Sequence, residues 1–79
     1  MEITISYCVN DNDNELDIKV DNAQRLRTTI EIIRSSEKNI FGNQAVKKLI
    51  MDSDGRQMDI EKNYSEQRVA SGERIICVL

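Results

Sequence analysis

The chain has 79 residues, which suffices for one small domain, residues 1–79, and leaves no room for a second. Its apolar share of 39% and charged share of 32% are typical of a folded protein and exclude an intrinsically disordered segment. A net charge of −3, with Lys and Arg scattered along the chain, argues against nucleic acid or an anionic membrane surface as the main partner.

The N-terminus and the cysteines indicate the compartment. The stretch "MEITISYC" has no basic region and so does not resemble a signal peptide, and no apolar run approaches the ~20 residues of a membrane-spanning helix. We therefore expect a cytoplasmic protein, in which Cys8 and Cys77 stay reduced. Because the chain has no histidine and no CxxC spacing, these cysteines indicate neither a metal site nor a cofactor.

Two alternating runs predict an N-terminal β-hairpin. Residues 2–9 alternate between two faces, with Ile3, Ile5, Tyr7 and Val9 on one and Glu2, Thr4, Ser6 and Cys8 on the other. Such alternation of β-branched residues is typical of a half-buried strand. The turn formers "NDNDNE" follow, and alternation then resumes with Leu16, Ile18 and Val20.

Apolar residues at helical spacing predict one amphipathic helix after the hairpin. The stripe consists of Ala23, Leu26, Ile30 and Ile33. Asp21 and Asn22 offer N-cap chemistry, and we expect "SSEKN" to end the helix with Asn39 in the left-handed conformation. Arg27 and Glu31 are spaced to form an ion pair on the outer side of the helix.

The segment after the helix predicts a fold-back followed by two strands. Ile40 and Phe41 are expected to pack under the helix end, and Gly42 lets the chain turn. The run "KKLIM" has the length of a strand, and "DSDG" predicts a turn before a weak strand over residues 56–60.

The C-terminal segment completes the predicted sheet. Tyr64 and Val69 lie in the polar stretch "NYSEQRVASGE", which is typical of a single turn, and "RIICVL" predicts the last strand. Because that strand is apolar on both faces, we expect it at the centre, parallel to the first strand and next to the third. The predicted fold is an α+β β-grasp, a mixed four- to five-stranded sheet with one helix across one face.

The second half of the sequence resembles a known family. "KKLIM" followed by "YSEQRVASGERIICVL" resembles the second half of ubiquitin, and the hairpin and helix occupy matching places. The chain more closely resembles the ubiquitin-like YukD/EsaB family of bacterial type VII secretion systems. Its "TIEI" lies in the helix and its "SGERIICVL" matches a final strand of "NGD-R-L" type, with small insertions near "GNQAV" and in "DSDGRQMDIEKN".

This resemblance implies a cytoplasmic accessory or regulatory protein of the machinery that exports small helical WXG-motif proteins. In some related systems a domain of this kind belongs to a membrane component itself. The implied partner is a protein, and a cytoplasmic domain of a membrane secretion component is the candidate. A ubiquitin-type modifier needs a flexible tail ending in two glycines, whereas this sequence ends on Val78 and Leu79, and its last glycine, Gly72, belongs to a turn. We therefore expect neither conjugation nor a sulfur-carrier role.

Two motifs that suggest chemistry have simpler interpretations. Asp11, Asp13 and Glu15 alternate as in a calcium loop, but Leu16 occupies the position of the required glycine, so a solvated hairpin turn is the better interpretation. Cys8 has no histidine to activate it and no cationic neighbour in sequence, which argues against a nucleophile. No motif predicts an enzyme.

The sequence also predicts an unusual apolar patch on the face of the sheet opposite the helix. If Leu49, Ile75, Cys77 and Leu79 face the helix, then Ile50, Ile76 and Val78 lie on the opposite face of the sheet, flanked by Lys48 and Arg74. In ubiquitin the matching face is the main recognition surface, and soluble monomers rarely expose a contiguous aliphatic patch without a purpose.

These five residues are therefore the candidate protein-binding site. The alternative without a function is that the aliphatic members are ordinary scattered surface residues or are covered by a loop. Ile32 on the outer side of the helix is a weaker candidate. A covalent modifier or carrier whose tail is supplied differently, and a structural subunit that dimerises through the patch, remain open as alternative functions.

Overall fold

The computed structural model describes residues 1–10, 15–36, 38–42 and 44–79. Within these ranges the strands are β1 (Glu2–Val9), β2 (Glu15–Asp21), β3 (Lys48–Met51), β4 (Gln57–Met58) and β5 (Arg74–Val78). They form one sheet in the order β2-β1-β5-β3-β4. Strand β5 pairs in parallel with β1 and antiparallel with β3, so the prediction of a central last strand is confirmed.

A single face of the sheet carries the core. Helix α1 (Leu26–Ser36) lies against this face and buries Leu26, Thr29, Ile30 and Ile33. The sheet contributes the residues that alternation had placed inward, among them Ile3, Ile5, Tyr7, Leu49, Ile75 and Cys77. The predicted α+β β-grasp architecture is confirmed.

The helix begins three residues later than its apolar spacing suggests. Ala23 is exposed and lies in a turn, in which Asp21 Oδ1 accepts a hydrogen bond from the Ala23 N–H at 2.9 Å and Asp21 O accepts one from the Gln24 N–H at 2.9 Å. The prediction that Ala23 joins the helical stripe and that Asp21 or Asn22 caps the helix is therefore wrong. Asp21 closes an Asx turn instead, because its side chain reaches only two residues ahead.

Carbonyls from a distant segment satisfy the first turn of α1. The N–H groups of Leu26 and Arg27 donate to Lys62 O at 3.1 Å and Ile60 O at 2.8 Å. Arg27 forms its ion pair with Glu61 on this same segment, and not with Glu31 as predicted. The helix start is thus fixed by tertiary contacts, which explains why no local capping residue is needed.

A short helix, α2 (Lys38–Phe41), follows α1. Phe41 is buried at 2% exposure and lies under the Arg34 guanidinium, whose Cζ is 5.0 Å from the ring centre, so the predicted fold-back is confirmed. Gly42 has a φ of 60°, as its turn requires. Asn39 is helical, so its predicted left-handed conformation is wrong.

The segment between β4 and β5 is more deeply packed than its polar composition suggests. Tyr64 and Val69 are 0% and 7% exposed and belong to the core. The predicted weak strand over residues 56–60 is only two residues long, Gln57–Met58, after which the chain leaves the sheet toward the helix N-terminus.

A chain of side-chain hydrogen bonds links this segment to the sheet and to α1. The Tyr7 and Tyr64 hydroxyls are 2.6 Å apart, and the Tyr64 hydroxyl donates to Thr29 Oγ1 at 2.7 Å. Gln24 Nε2 donates to the same Thr29 oxygen at 2.8 Å. Polar groups buried in the core are therefore paired with one another, as a low-dielectric interior requires.

Candidate functional site

The open face of the sheet, opposite α1, places the candidate residues side by side. Ile50 on β3 lies directly opposite Ile76 on β5, and Lys48 lies opposite Val78. Strand alternation gives all four side chains the same direction, away from the core residues Leu49, Ile75 and Cys77. The three aliphatic residues are thus contiguous on two neighbouring strands.

These aliphatic residues are half-buried. Ile50, Ile76 and Val78 each fall in the intermediate range of exposure. Among the described residues, the large apolar side chains classed as exposed are Met1 and Ile32, at 80% and 45%. The aliphatic part of the open face is therefore only partly exposed to solvent.

Arg74 lies at one side of the aliphatic group and is tied to both neighbouring elements. Its Nε is 2.7 Å from Glu15 Oε1 on β2, and its Nη1 is 3.3 Å from Asp52 Oδ2 in the turn after β3. The hydrogen bond to Asp52, assisted by that to Glu15, raises the pKa of Arg74 above its usual value. Arg74 therefore braces the open face between two carboxylates of the same chain.

Cys8 lies beneath Arg74. Its side chain is 0% exposed, and its Sγ is 3.0 Å from Arg74 Nη2. The sequence placed Cys8 on an outward face without a cationic neighbour, but the structure covers it with an arginine from the far end of the chain. Because the thiol is inaccessible in this conformation, the arrangement does not present a nucleophile to solvent.

Acidic side chains line the open face on β2 and its rim. Glu15 and Asp17 are exposed there, and Asp17 Oδ1 accepts a hydrogen bond of 2.6 Å from the Ser6 hydroxyl. Lys48, at the other side of the aliphatic group, is also exposed. Lys19 of β2 is exposed on the same face, so the β2 side carries both signs of charge and Lys48 adds a positive charge on the β3 side.

Asp11 and Asp13 of the calcium-like motif lie outside the described residues. Glu15, its third member, belongs to β2 and bonds Arg74. Within the described ranges, no group of three or more His, Cys, Asp or Glu side chains is placed to hold a metal ion.

Cys77 lies on the helix side of β5. Burial, reinforced by the nearby Cys8, raises the pKa of the Cys77 thiol to about 12. The group is therefore a neutral core thiol at physiological pH, as its alternation with Ile75 indicated.

A groove between α1 and the start of β3 is a concave surface that the sequence did not indicate. Its lining includes Val46, Lys48 and Ile60 together with Arg27, whose guanidinium is paired with Glu61. The groove arises because β4 leaves the sheet after two residues and no longer covers the first residues of β3. The one signal for this groove in the sequence was the weakness of the predicted fourth strand, residues 56–60.

No helix within the described residues is long and apolar enough to cross a membrane. The sequence matches no protein-family model and no curated protein.

Several solved structures share the fold at low sequence identity. A ubiquitin from Caldiarchaeum subterraneum superposes with a TM-score of 0.72 at 11% identity, covering 99% of this chain and 92% of that one. The UBL domain of Plasmodium falciparum Dsk2 gives 0.68 at 17% identity, covering 99% and 97%. A chain of the toluene 4-monooxygenase HD complex with the inhibitor 4-bromobenzoate gives 0.76 at 10% identity, covering 100% and 99%.

At such identities the likeness shows the fold alone. Taken with the strand order and the helix across one face, it establishes that this chain has the ubiquitin-like β-grasp fold.

Proposed function

We propose that this protein is a non-conjugating ubiquitin-like accessory or regulatory protein of a bacterial type VII secretion system. It acts in the cytoplasm, without enzymatic activity, by binding a protein partner through the open face of its sheet. The binding residues are Ile50, Ile76 and Val78, with Lys48 and Arg74 at their sides.

The observation that carries the binding role is the cross-strand pair of Ile50 and Ile76 on the face without a helix. Together with Val78 they form the apolar centre of that face, with charged groups around it. An apolar centre with a polar rim is the usual anatomy of a protein interface. Each aliphatic side chain can contribute ~1–2 kcal/mol when a partner completes its burial.

The surrounding charges define how a partner fits. Arg74 is held by ion pairs to Glu15 and Asp52, so its side chain is already fixed in position before a partner binds. Lys48 is exposed on the opposite side and can pair with a partner carboxylate. Such charges set orientation and association rate more than affinity.

The assignment to type VII secretion is supported by the resemblance of the "TIEI" helix and the "SGERIICVL" strand to the YukD/EsaB family. The family implies a partner among the cytoplasmic domains of membrane secretion components.

The test is affinity purification of the tagged protein from detergent-solubilised host cells, comparing Ile76→Asp with Ile32→Asp. Both variants introduce the same charge, but Ile76 lies on the open face and Ile32 is 45% exposed on the outer side of α1. We expect Ile32→Asp to recover secretion components as the native protein does, and Ile76→Asp to lose them. Circular dichroism must show that both variants fold.

Other outcomes favour the alternatives. Loss of binding in Ile32→Asp alone moves the site to the helix. High-mass adducts that survive denaturation indicate a covalent modifier or carrier. Recovery of soluble proteins only, through an intact Ile76, indicates a regulator outside the secretion complex.

A further inference from the structure

The two edges of the sheet differ in length. Strand β4 is only two residues long, whereas the other edge strand, β2, runs over seven residues, Glu15–Asp21. Long unprotected edges are ready templates for pairing with another strand. The chemistry of the β2 edge therefore decides what it can bind.

The register of the hairpin fixes which main-chain groups of β2 point outward. The Asn22 N–H donates to Met1 O at 2.8 Å, and the pairing continues without interruption through Ile3↔Val20 and Ile5↔Ile18. In an antiparallel ladder hydrogen-bonded pairs alternate, so even-numbered residues of β2 bond β1. The N–H and C=O groups of Asp17 and Lys19 consequently face away from the sheet.

These outward groups have no main-chain partner among the described residues. Farther along the same edge, Asp21 O already accepts the Gln24 N–H, so that end of β2 is closed. The open part of the edge is therefore centred on Ile18, with Asp17 and Lys19 on either side.

The charges of this edge are self-complementary. Glu15 is paired with Arg74, and Asp21 with the N-terminal ammonium at 3.6 Å. Asp17 and Lys19 are exposed and form no ion pair with any described residue, and they carry opposite charges at equal distances from Ile18. Charged side chains usually discourage pairing at an edge, but opposite charges at matched positions stabilise a cross-strand pair.

We propose that β2 pairs with β2 of a second copy of this chain, antiparallel, about a two-fold axis at Ile18. Asp17 of each copy then lies opposite Lys19 of the other, and each such pair exchanges main-chain hydrogen bonds as well as charge. Moving the axis by one residue places Asp17 opposite Asp17 of the second copy, or Lys19 opposite Lys19 of the second copy. These like charges repel, so the charges select one register.

The helix side of β2 also favours this pairing. Leu16 and Ile18 are only half-buried there because no strand flanks β2 on its outer side. In the paired sheet the two Ile18 side chains meet at the axis, and Leu16 meets Val20 of the second copy. The opposed Glu15 and Asp21 side chains each keep their own cation.

The contact is isologous and leaves the candidate binding face free. Strand β1 separates β2 from β5, which carries Ile76 and Val78. One edge-to-edge contact of this length falls below the size of a permanent interface, so we expect a weak, concentration-dependent dimer.

The test is sedimentation equilibrium over a concentration series with paired charge variants. Asp17→Lys and Lys19→Asp each turn both cross-edge pairs repulsive, so each variant alone should dissociate with a constant at least about tenfold higher than the native protein. The two single variants mixed together, and the double variant Asp17→Lys/Lys19→Asp, should associate again because opposite charges face each other once more.

Hydrogen exchange supplies a readout specific to the register. The amides of Asp17 and Lys19 should become protected only as concentration rises, whereas those of Leu16 and Ile18 are protected in the monomer as well. Lys19→Pro should abolish association while the monomer stays folded, because the N–H that it removes faces outward. A native protein that stays monomeric at millimolar concentration, or a dimer that survives the single charge variants and dissociates with Ile76→Asp, overturns the proposal.

Discussion

The buried hydroxyl chain predicts that two identical chemical changes, Tyr7→Phe and Tyr64→Phe, have unequal costs. Both tyrosines are essentially inaccessible, at 1% and 0% exposure. The Tyr64 hydroxyl donates to Thr29 Oγ1, so the proton in the contact between the two tyrosines comes from Tyr7. Removing either hydroxyl breaks that contact, but the groups left behind differ.

In Tyr7→Phe, the Tyr64 proton keeps its acceptor on Thr29, and only one ordinary hydrogen bond is lost. The expected cost is ~0.5–1.5 kcal/mol. In Tyr64→Phe the hydrogen bond to Thr29 is lost as well, and Tyr7 is left with a buried donor and no phenol oxygen to receive it, which together add ~1–3 kcal/mol. We take the lower half of this range, because the Tyr7 hydroxyl can rotate toward whatever acceptor is nearest.

The two variants should therefore differ by about 1–2 kcal/mol in the free energy of unfolding, or roughly 4–16 °C in melting temperature for a domain of this size. Urea denaturation monitored by circular dichroism measures the difference. The double variant Tyr7→Phe/Tyr64→Phe is the internal control, because it removes the unsatisfied proton and should be more stable than Tyr64→Phe alone. Equal costs for the two single variants, or a double variant less stable than Tyr64→Phe, refute this assignment of the protons.

Three further predictions concern stability. Burial raises the pKa of the Cys77 thiol to about 12, so the stability that it contributes is complete below the unfolded-state pKa of ~8.5 and is lost as pH rises toward the folded-state pKa. The free energy of unfolding measured across about pH 8.5 to 11 should therefore fall less steeply in Cys77→Ala than in the native protein. Parallel curves for the two proteins contradict this prediction. Ile33→Ala should cost ~2–5 kcal/mol because Ile33 is 1% exposed, whereas Ile32→Ala, at 45% exposure, should cost far less, and similar losses in chemical denaturation count against the helix orientation. Gly72 has a φ of 92° and open space where the methyl group of an alanine would lie, so Gly72→Ala should lower stability by ~1–2 kcal/mol through backbone strain alone, and an unchanged melting temperature argues against that conformation.

Features fixed by local periodicity could be predicted from the sequence. Alternation in β1 and β5 separated the core side, including Ile5 and Ile75, from the open side, including Ile76. The apolar run of the last strand correctly placed it at the centre of the sheet. These predictions succeed because the period of the side chains follows directly from backbone geometry.

Features fixed by distant contacts could not be predicted. The start of α1 depends on the carbonyls of Ile60 and Lys62, and no residue near the helix in sequence indicates these hydrogen bonds. Tyr64 sits among polar neighbours, and its burial follows from hydrogen bonds to β1 and α1.

The same limit applied to the candidate site. Its apolar members followed from alternation, but the ion pairs of Arg74 reach residues as far away in sequence as Glu15. The burial of Cys8 beneath that arginine depends on an equally distant contact, so neither feature could be found from neighbouring residues.

The central position of β5 governs when the chain can fold during synthesis. Residues 74–78 are the last of the sheet to be made, yet they join β1 to β3 and thereby connect the two halves. At the ~5–20 residues per second of translation, the first strand waits roughly 4–15 s for this partner. Until β5 is made, the β1–β2 pair carries an open edge and an uncovered apolar face, and so does the β3–β4 pair once it has been made. Chaperone demand should therefore be greatest just before residues 74–78 are made, and slower translation should increase the aggregation of chains that still lack this strand.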